Sequence, residues 1–246
     1  MRLALIACSV FNRELSYEIA RSKNPVRVWW LKQGLHDTPD LLRLTLQKEI
    51  DRIEAEQEAL LPDKRYEAVC LGYGLCSNGV LGLRAGSLPL VVPRCDDCIS
   101  LFLGSADRYR ALFAQNPGCY WYNPGWIEHA FTPSEAAYAQ RRAQYAEDYG
   151  EDNADYLLEA ERSWVYNYKN CVYIDSPVYE DASYVEYTRQ AAADYGWAFS
   201  REPGEQGYLR RLLAGGWDDR EFLVCPPGHI IEADYSDRKV RAASPK

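Results

Sequence analysis

The sequence predicts an α/β protein: a mainly parallel sheet with flanking helices. Two observations carry this. Short apolar runs alternate with longer amphipathic stretches along the first half of the chain, the pattern of strands linked by crossover helices. Several of the apolar runs, at 68–71, 88–92, 172–174 and 221–225, close on Gly, Pro or Asp, the usual punctuation of strand ends. Such alternation makes successive strands parallel through right-handed crossovers. The second half weakly repeats the order strand, glycine turn, helix. The reading therefore draws an α/β lobe at residues 1–125. Residues 126–246 are either a second, similar Rossmann-like lobe or a helical extension packed on the first.

Residues 2–8 read as a first buried strand, 14–21 as a short helix and 26–31 as a second strand. Residues 40–61 form a long amphipathic helix, with Leu41, Leu44, Ile50, Ile53 and Leu60 near helical spacing and Pro62 closing it. Residues 68–71 are a third strand, followed by the glycine-rich segment 72–79, read as a turn into a helix. Residues 88–92 are a fourth strand. Asp96 and Asp97 then cap a helix at 98–103. Further on, strands are expected at 119–122, 172–174 and 221–225. Helices are expected at 133–149, 154–168, 183–195 and 206–213, the last stopped by Gly215 and Gly216.

Composition narrows the function. The chain has 246 residues, is 47% apolar and carries a formal net charge of -8. No basic patch stands out, so nucleic acid and anionic membranes are poor partners. No apolar segment reaches the roughly 18 residues of a membrane span. The N-terminal apolar run is short and meets Asn12, Arg13 and Glu14 at once. It reads as a strand rather than an export signal, which implies a cytoplasmic protein. Its eight cysteines are then reduced thiols rather than a disulfide framework. The 19 tyrosines and seven tryptophans concentrate in the second half, as core or as a ligand pocket.

In a parallel sheet, ligands bind beyond the carboxyl ends of the strands. Cys8 ends the first strand, Cys76 follows the third, and Cys95 and Cys98 follow the fourth. Three loops thus deliver thiols to one sheet edge. Thiolates suit an iron–sulfur cluster, the first choice here, or zinc. Cys8, Cys76 and Cys98 are the candidate ligands. Three of them leave a coordination position open for a small-molecule substrate, whereas adding Cys95 closes the site. The alternatives are a reactive thiol without metal, or cysteines that only pack. Cys70 and Cys225, inside apolar runs, read as packing residues. Cys95 and Cys98 also make a bare C-x-x-C, a weak redox signal. Asp97, Arg94 and His229 are candidate catalytic or substrate-contacting groups. Asp96 and Asp97 also read as a plain helix cap. In the 72–79 turn, backbone N–H groups around Gly74, Ser77 and Asn78 are candidate cofactor contacts.

The segments Leu71-Gly72-Tyr73-Gly74-Leu75-Cys76-Ser77-Asn78-Gly79 and Pro93-Arg94-Cys95-Asp96-Asp97-Cys98-Ile99 resemble the domain-of-unknown-function family 1638. So do Leu103-Gly104-Ser105 with Tyr109, and later Gly204, Leu212, Leu213, Gly216, Trp217, Phe222, Pro227 and Gly228. The resemblance carries the family motif onto Cys8, Cys76, Asp97 and Cys98, with Cys95 outside the fixed pattern. It implies a metal-linked role in anaerobic one-carbon chemistry, because relatives are encoded beside corrinoid-dependent methyltransferases. Two classes follow. One is a cluster- or metal-dependent enzyme, a lyase or transferase. The other is an accessory protein that binds a corrinoid protein, a methyltransferase or the corrinoid itself.

Overall fold

The computed structural model describes residues 1–245. It comprises two compact units: Met1–Tyr109 with the segment from Glu205 onward, and Arg110–Gly204. The division expected near residue 125 thus falls elsewhere. The second unit is an insertion, and the first is completed by the C-terminal segment.

The chain runs β1 (Leu3–Cys8), α1 (Asn12–Arg21), β2 (Val26–Leu31), α2 (Pro39–Glu58), β3 (Ala68–Gly72), β4 (Leu90–Pro93), α3 (Cys98–Phe102) and α4 (Ala106–Gln115). It continues through β5 (Cys119–Tyr122), α5 (Pro124–His129), α6 (Glu135–Tyr149), α7 (Glu151–Arg162), β6 (Asn170–Asp175), α8 (Ala182–Asp194) and β7 (Ala198–Pro203). It ends with α9 (Gly207–Ala214), β8 (Phe222–Cys225), β9 (Ile230–Asp234) and β10 (Lys239–Ala243). The α/β class is as the sequence predicts.

In the first unit the sheet order is β2-β1-β3-β4-β8. β1 to β4 are mutually parallel, and β8 pairs antiparallel with β4. All six residues of β1 and all five of β3 are buried, as a sheet covered on both faces demands. From β1 the chain moves to β2 on one side, then returns to β3 on the other. The reversal makes the carboxyl ends of β1 and β3 the switch point of the sheet.

α2 buries Leu42, Leu46, Ile50 and Ile53, a stripe at helical spacing. The sequence-based stripe had the helix right but was misaligned at its start, since Leu41 and Leu44 are exposed. The helix expected after the glycine turn is absent. Cys76, Ser77 and Asn78 take φ of 44°, 57° and 66°, a left-handed path no α-helix follows. The segment leading to β4 is held by backbone bonds to the β9 region instead, from Gly82 N to Ile231 O and from Ala85 N to His229 O.

The second unit has its own three-stranded parallel sheet, order β5-β6-β7. Its core joins Tyr122, Tyr138, Val165, Cys171, Tyr173 and Trp197. Tyr120 packs on Trp164 and Trp197 with ring centroids 5.5 and 5.7 Å apart, a spacing at which aromatic pairs attract. Most of the aromatic excess is therefore core. Both units carry a parallel sheet, but they differ in strand number and order.

Cys70 and Cys225 are fully buried, and burial pushes the Cys225 thiol up to about 11. The unfolded chain would release this proton near pH 9, the folded chain only near 11. Unfolding therefore becomes easier as pH rises through that window, and the stabilisation is fully present below it. Cys225→Ala should cost about 1–2 kcal/mol at pH 7 and should lose less stability than wild type between pH 8 and 10. Urea midpoints at the two pH values check this.

Candidate functional site

The four cysteines expected at the strand ends do come together at the switch point. Cys8 is the last residue of β1, Cys76 lies in the turn after β3, Cys95 follows β4, and Cys98 opens α3. Cys76, Cys95 and Cys98 each feel others of the set. Cys8 and Asp97 act on Cys76, and Asp97, Cys76, Cys8 and Cys95 act on Cys98. Cys8 and Cys95 are buried, while Cys76 and Cys98 are partly exposed. The group thus has an inner and an outer pair.

The two loops that bring them in are stitched together. Leu75 N donates to Cys95 O at 2.9 Å, and Cys76 N to Asp96 O at 3.0 Å. Gly74 sits where they touch: a Cβ there would lie 2.8 Å from Cys95 O and 3.0 Å from Asp97 N. Any side chain would force the loops apart, so Gly74 serves loop contact. The amides of Leu75, Cys76 and Gly79 are engaged by backbone carbonyls, so within the 72–79 turn these three are not available to an anion. Ser77 and Asn78 are exposed at the crest of the turn. Three successive non-glycine residues at positive φ are costly, which marks the turn as held by its surroundings.

Asp97 is both a cap and a neighbour of the thiols. Its Oδ1 accepts from Ile99 N at 3.0 Å, and its Oδ2 accepts from the Tyr109 hydroxyl at 3.1 Å. Burial raises its carboxyl above the ordinary value, although Tyr109 and the Ile99 amide pull the other way. The thiols are pushed the same way. Burial first, then the Asp97 charge, takes Cys76 up to about 12 and holds Cys95 and Cys98 well above the ordinary thiol value. Cys8 is raised by burial, partly offset by Val10 N–H and by Tyr73. At neutral pH the set is a group of protonated thiols.

Arg94 and His229 are not brought to the thiols. The Arg94 guanidinium is buried, donating to Arg238 O at 2.9 Å, to Val240 O, and to Asp219 Oδ1 at 2.9 Å. It ties the β10 hairpin to the end of β4. His229 follows β8, which pairs Cys225 with Leu90 at the start of β4. An antiparallel β8 delivers His229 to the edge where the parallel strands begin, opposite the cysteines. Its Nδ1 lies 3.1 Å from Pro227 O.

Sequence reasoning gave no site role to three tyrosines. Tyr73, inside the glycine turn and only 4% exposed, neighbours Cys8 and Cys76. Tyr109 binds Asp97, and Tyr208 on α9 adjoins Cys95. Tyr73 carried a signal in its place between Gly72 and Gly74 at a strand end, and Tyr109 in the family resemblance, while Tyr208 carried none.

The donor set is soft and sulfur-rich, which suits a thiophilic metal group. Yet among the described residues no group of three or more His, Cys, Asp or Glu is arranged to hold a metal ion. Taking one up requires these side chains to reorient. Among the described residues, too, no helix is long and apolar enough to cross a membrane.

A family model described as a protein of unknown function (DUF1638) matches residues 30–213. The match includes Cys76, Cys95, Asp97 and Cys98, while Cys8 precedes it. No curated protein and no solved structure matches the chain.

Asp97→Asn should keep the α3 cap, since Asn caps as well as Asp, while removing a charge that suppresses thiolate formation. The mutant's thiols should react with iodoacetamide at pH 8 several-fold faster than wild type, with thermal stability altered by no more than about 1 kcal/mol. An unchanged rate would mean that Asp97 does not govern these thiols.

Proposed function

The chain belongs to the DUF1638 family, and from that premise we propose that it is a metalloprotein binding an iron–sulfur cluster through Cys8, Cys76 and Cys98. The observation that carries this reading is the convergence of thiols from three separate loops on the switch point. Three thiolates can hold a cubane cluster and leave one of its irons open. When bound, it would supply a Lewis-acidic iron for a small substrate.

The protein's own groups have definite tasks in this reading. Tyr73 and the floor formed by β1 and β3 exclude water from the inner side. Asp97, fixed by Tyr109 and Ile99 N–H, keeps the thiols protonated until a cation replaces the protons. Cys95, buried beside Tyr208, stays an inner thiol and leaves the open position to substrate. Arg94 supports the end of β4 rather than touching substrate. The link to methyl or one-carbon metabolism and to corrinoid partners rests on the family resemblance alone.

A metal-free cysteine transferase is less well supported. Such an enzyme needs a thiolate at neutral pH, stabilised by nearby positive charge or a helix N-terminus. Here burial pushes every thiol of the group the other way, even Cys98 at the start of α3, and the Asp97 carboxylate adds to this at Cys76, Cys95 and Cys98.

The test is anaerobic reconstitution with iron and sulfide, read by visible absorption and iron content. Cys8→Ala, Cys76→Ala and Cys98→Ala should each lower bound iron roughly fivefold or more, because losing a direct ligand costs most of the affinity. Cys70→Ala should leave it unchanged. Full occupancy in all three ligand variants would end the reading, as would failure of wild type to take up iron.

A further inference from the structure

The second unit has a cavity of about 230 Å³ lined by Tyr173, Asp175, Tyr179, Glu180, Val185 and Arg201, with Asp181 and Ser176 alongside. It lies at the carboxyl end of β6, whose last residue is Asp175. That is the edge where parallel sheets bind ligands. Its size is below the usual range for drug-sized molecules, so its occupant is small.

Three features define that occupant. The first is charge: Asp175, Glu180 and Asp181 stand against one guanidinium. Arg201 is already committed, with Nη2 2.6 Å and Nε 3.1 Å from Asp175 Oδ1. Asp181 caps α8, accepting from Ser183 N at 2.8 Å and from the Tyr179 hydroxyl at 3.2 Å. The remaining field is negative, so the cavity favours a cation. The second is Tyr173. It is 2% exposed, yet its hydroxyl makes no hydrogen bond among the described residues, and the residue lines the cavity. The hydroxyl is not sealed off, so a ligand N–H entering the cavity can donate to it. The third is the apolar part of the lining. Tyrosine rings attract an organic cation and Val185 offers an apolar surface to its alkyl part, whereas neither contributes to holding a bare metal ion.

We infer that this cavity is a binding site for a small alkylammonium ion, its N–H donating to the Tyr173 hydroxyl and its charge balanced by the carboxylates. The alkyl part contacts Tyr179 and Val185. The site is built from the second unit alone and is independent of the cysteine chemistry.

Titration calorimetry on the full chain at low salt tests this with three probes of similar size: propylammonium, propionate and 1-propanol. Propylammonium should bind saturably in the millimolar range, and the other two should not. Tyr173→Phe and Glu180→Gln should each raise its Kd about fivefold to tenfold. Glu180 is exposed, so its variant should fold as wild type does. The inference is overturned if propylammonium shows no saturation, if propionate or 1-propanol binds as tightly, or if the Glu180 variant binds propylammonium unchanged.

Discussion

β1 has no face of its own. It is hydrogen-bonded along its length to β2 on one side and β3 on the other, and every one of its side chains is buried. Its last pairing sets Ala7 beside Gly72. A Cβ at Gly72 would lie 2.8 Å from the Ala7 Cβ, a distance that non-bonded carbons do not reach. This close approach fixes where β1 and β3 end. It therefore fixes where Cys8 and Tyr73 emerge and from where the Cys76 turn must start.

What gathers there is a polar group in a poorly solvated place. Burial raises the proton affinity of all four thiols and of Asp97, and the Asp97 charge adds to it at Cys76, Cys95 and Cys98. The protein tolerates this because the thiols stay neutral and Asp97 is held by two donors. The left-handed turn at Cys76, Ser77 and Asn78 is sustained by the bonds that stitch it to the Cys95 loop. Polar strain and backbone strain thus occupy the same few residues, as at many functional sites.

The parallel strands were legible because apolar runs of Leu, Val, Ile and Ala have few other places to go in a chain of this size. That legibility extended to the strand-end thiols, whose convergence follows from strand direction alone. Direction was also where reading failed. The run at Phe222–Cys225 looks like the others, and nothing in it says that β8 turns antiparallel and carries His229 to the far edge. Arg94 was misjudged for a related reason: its partners, Asp219 and the β10 carbonyls, lie far away in sequence. The missing crossover helix reflects local conflict, because Cys76, Ser77 and Asn78 leave the helical region although their side chains do not forbid it. β7 was missed because Ser200, Arg201 and Glu202 interrupt any apolar pattern on this edge strand.

The insertion of Arg110–Gly204 into the first unit has a consequence for biosynthesis. During translation the cysteine-bearing loops emerge early, but α9, which brings Tyr208 beside Cys95, and β8, which closes β4, are made only after the whole inserted unit. Until then the edge of β4 is open and Arg94 lacks its partners from Asp219 onward. A nascent chain would present its thiols without the wall that later encloses them. Any group they hold is therefore expected to enter only after the inserted unit has been made and the sheet has gained its last strand.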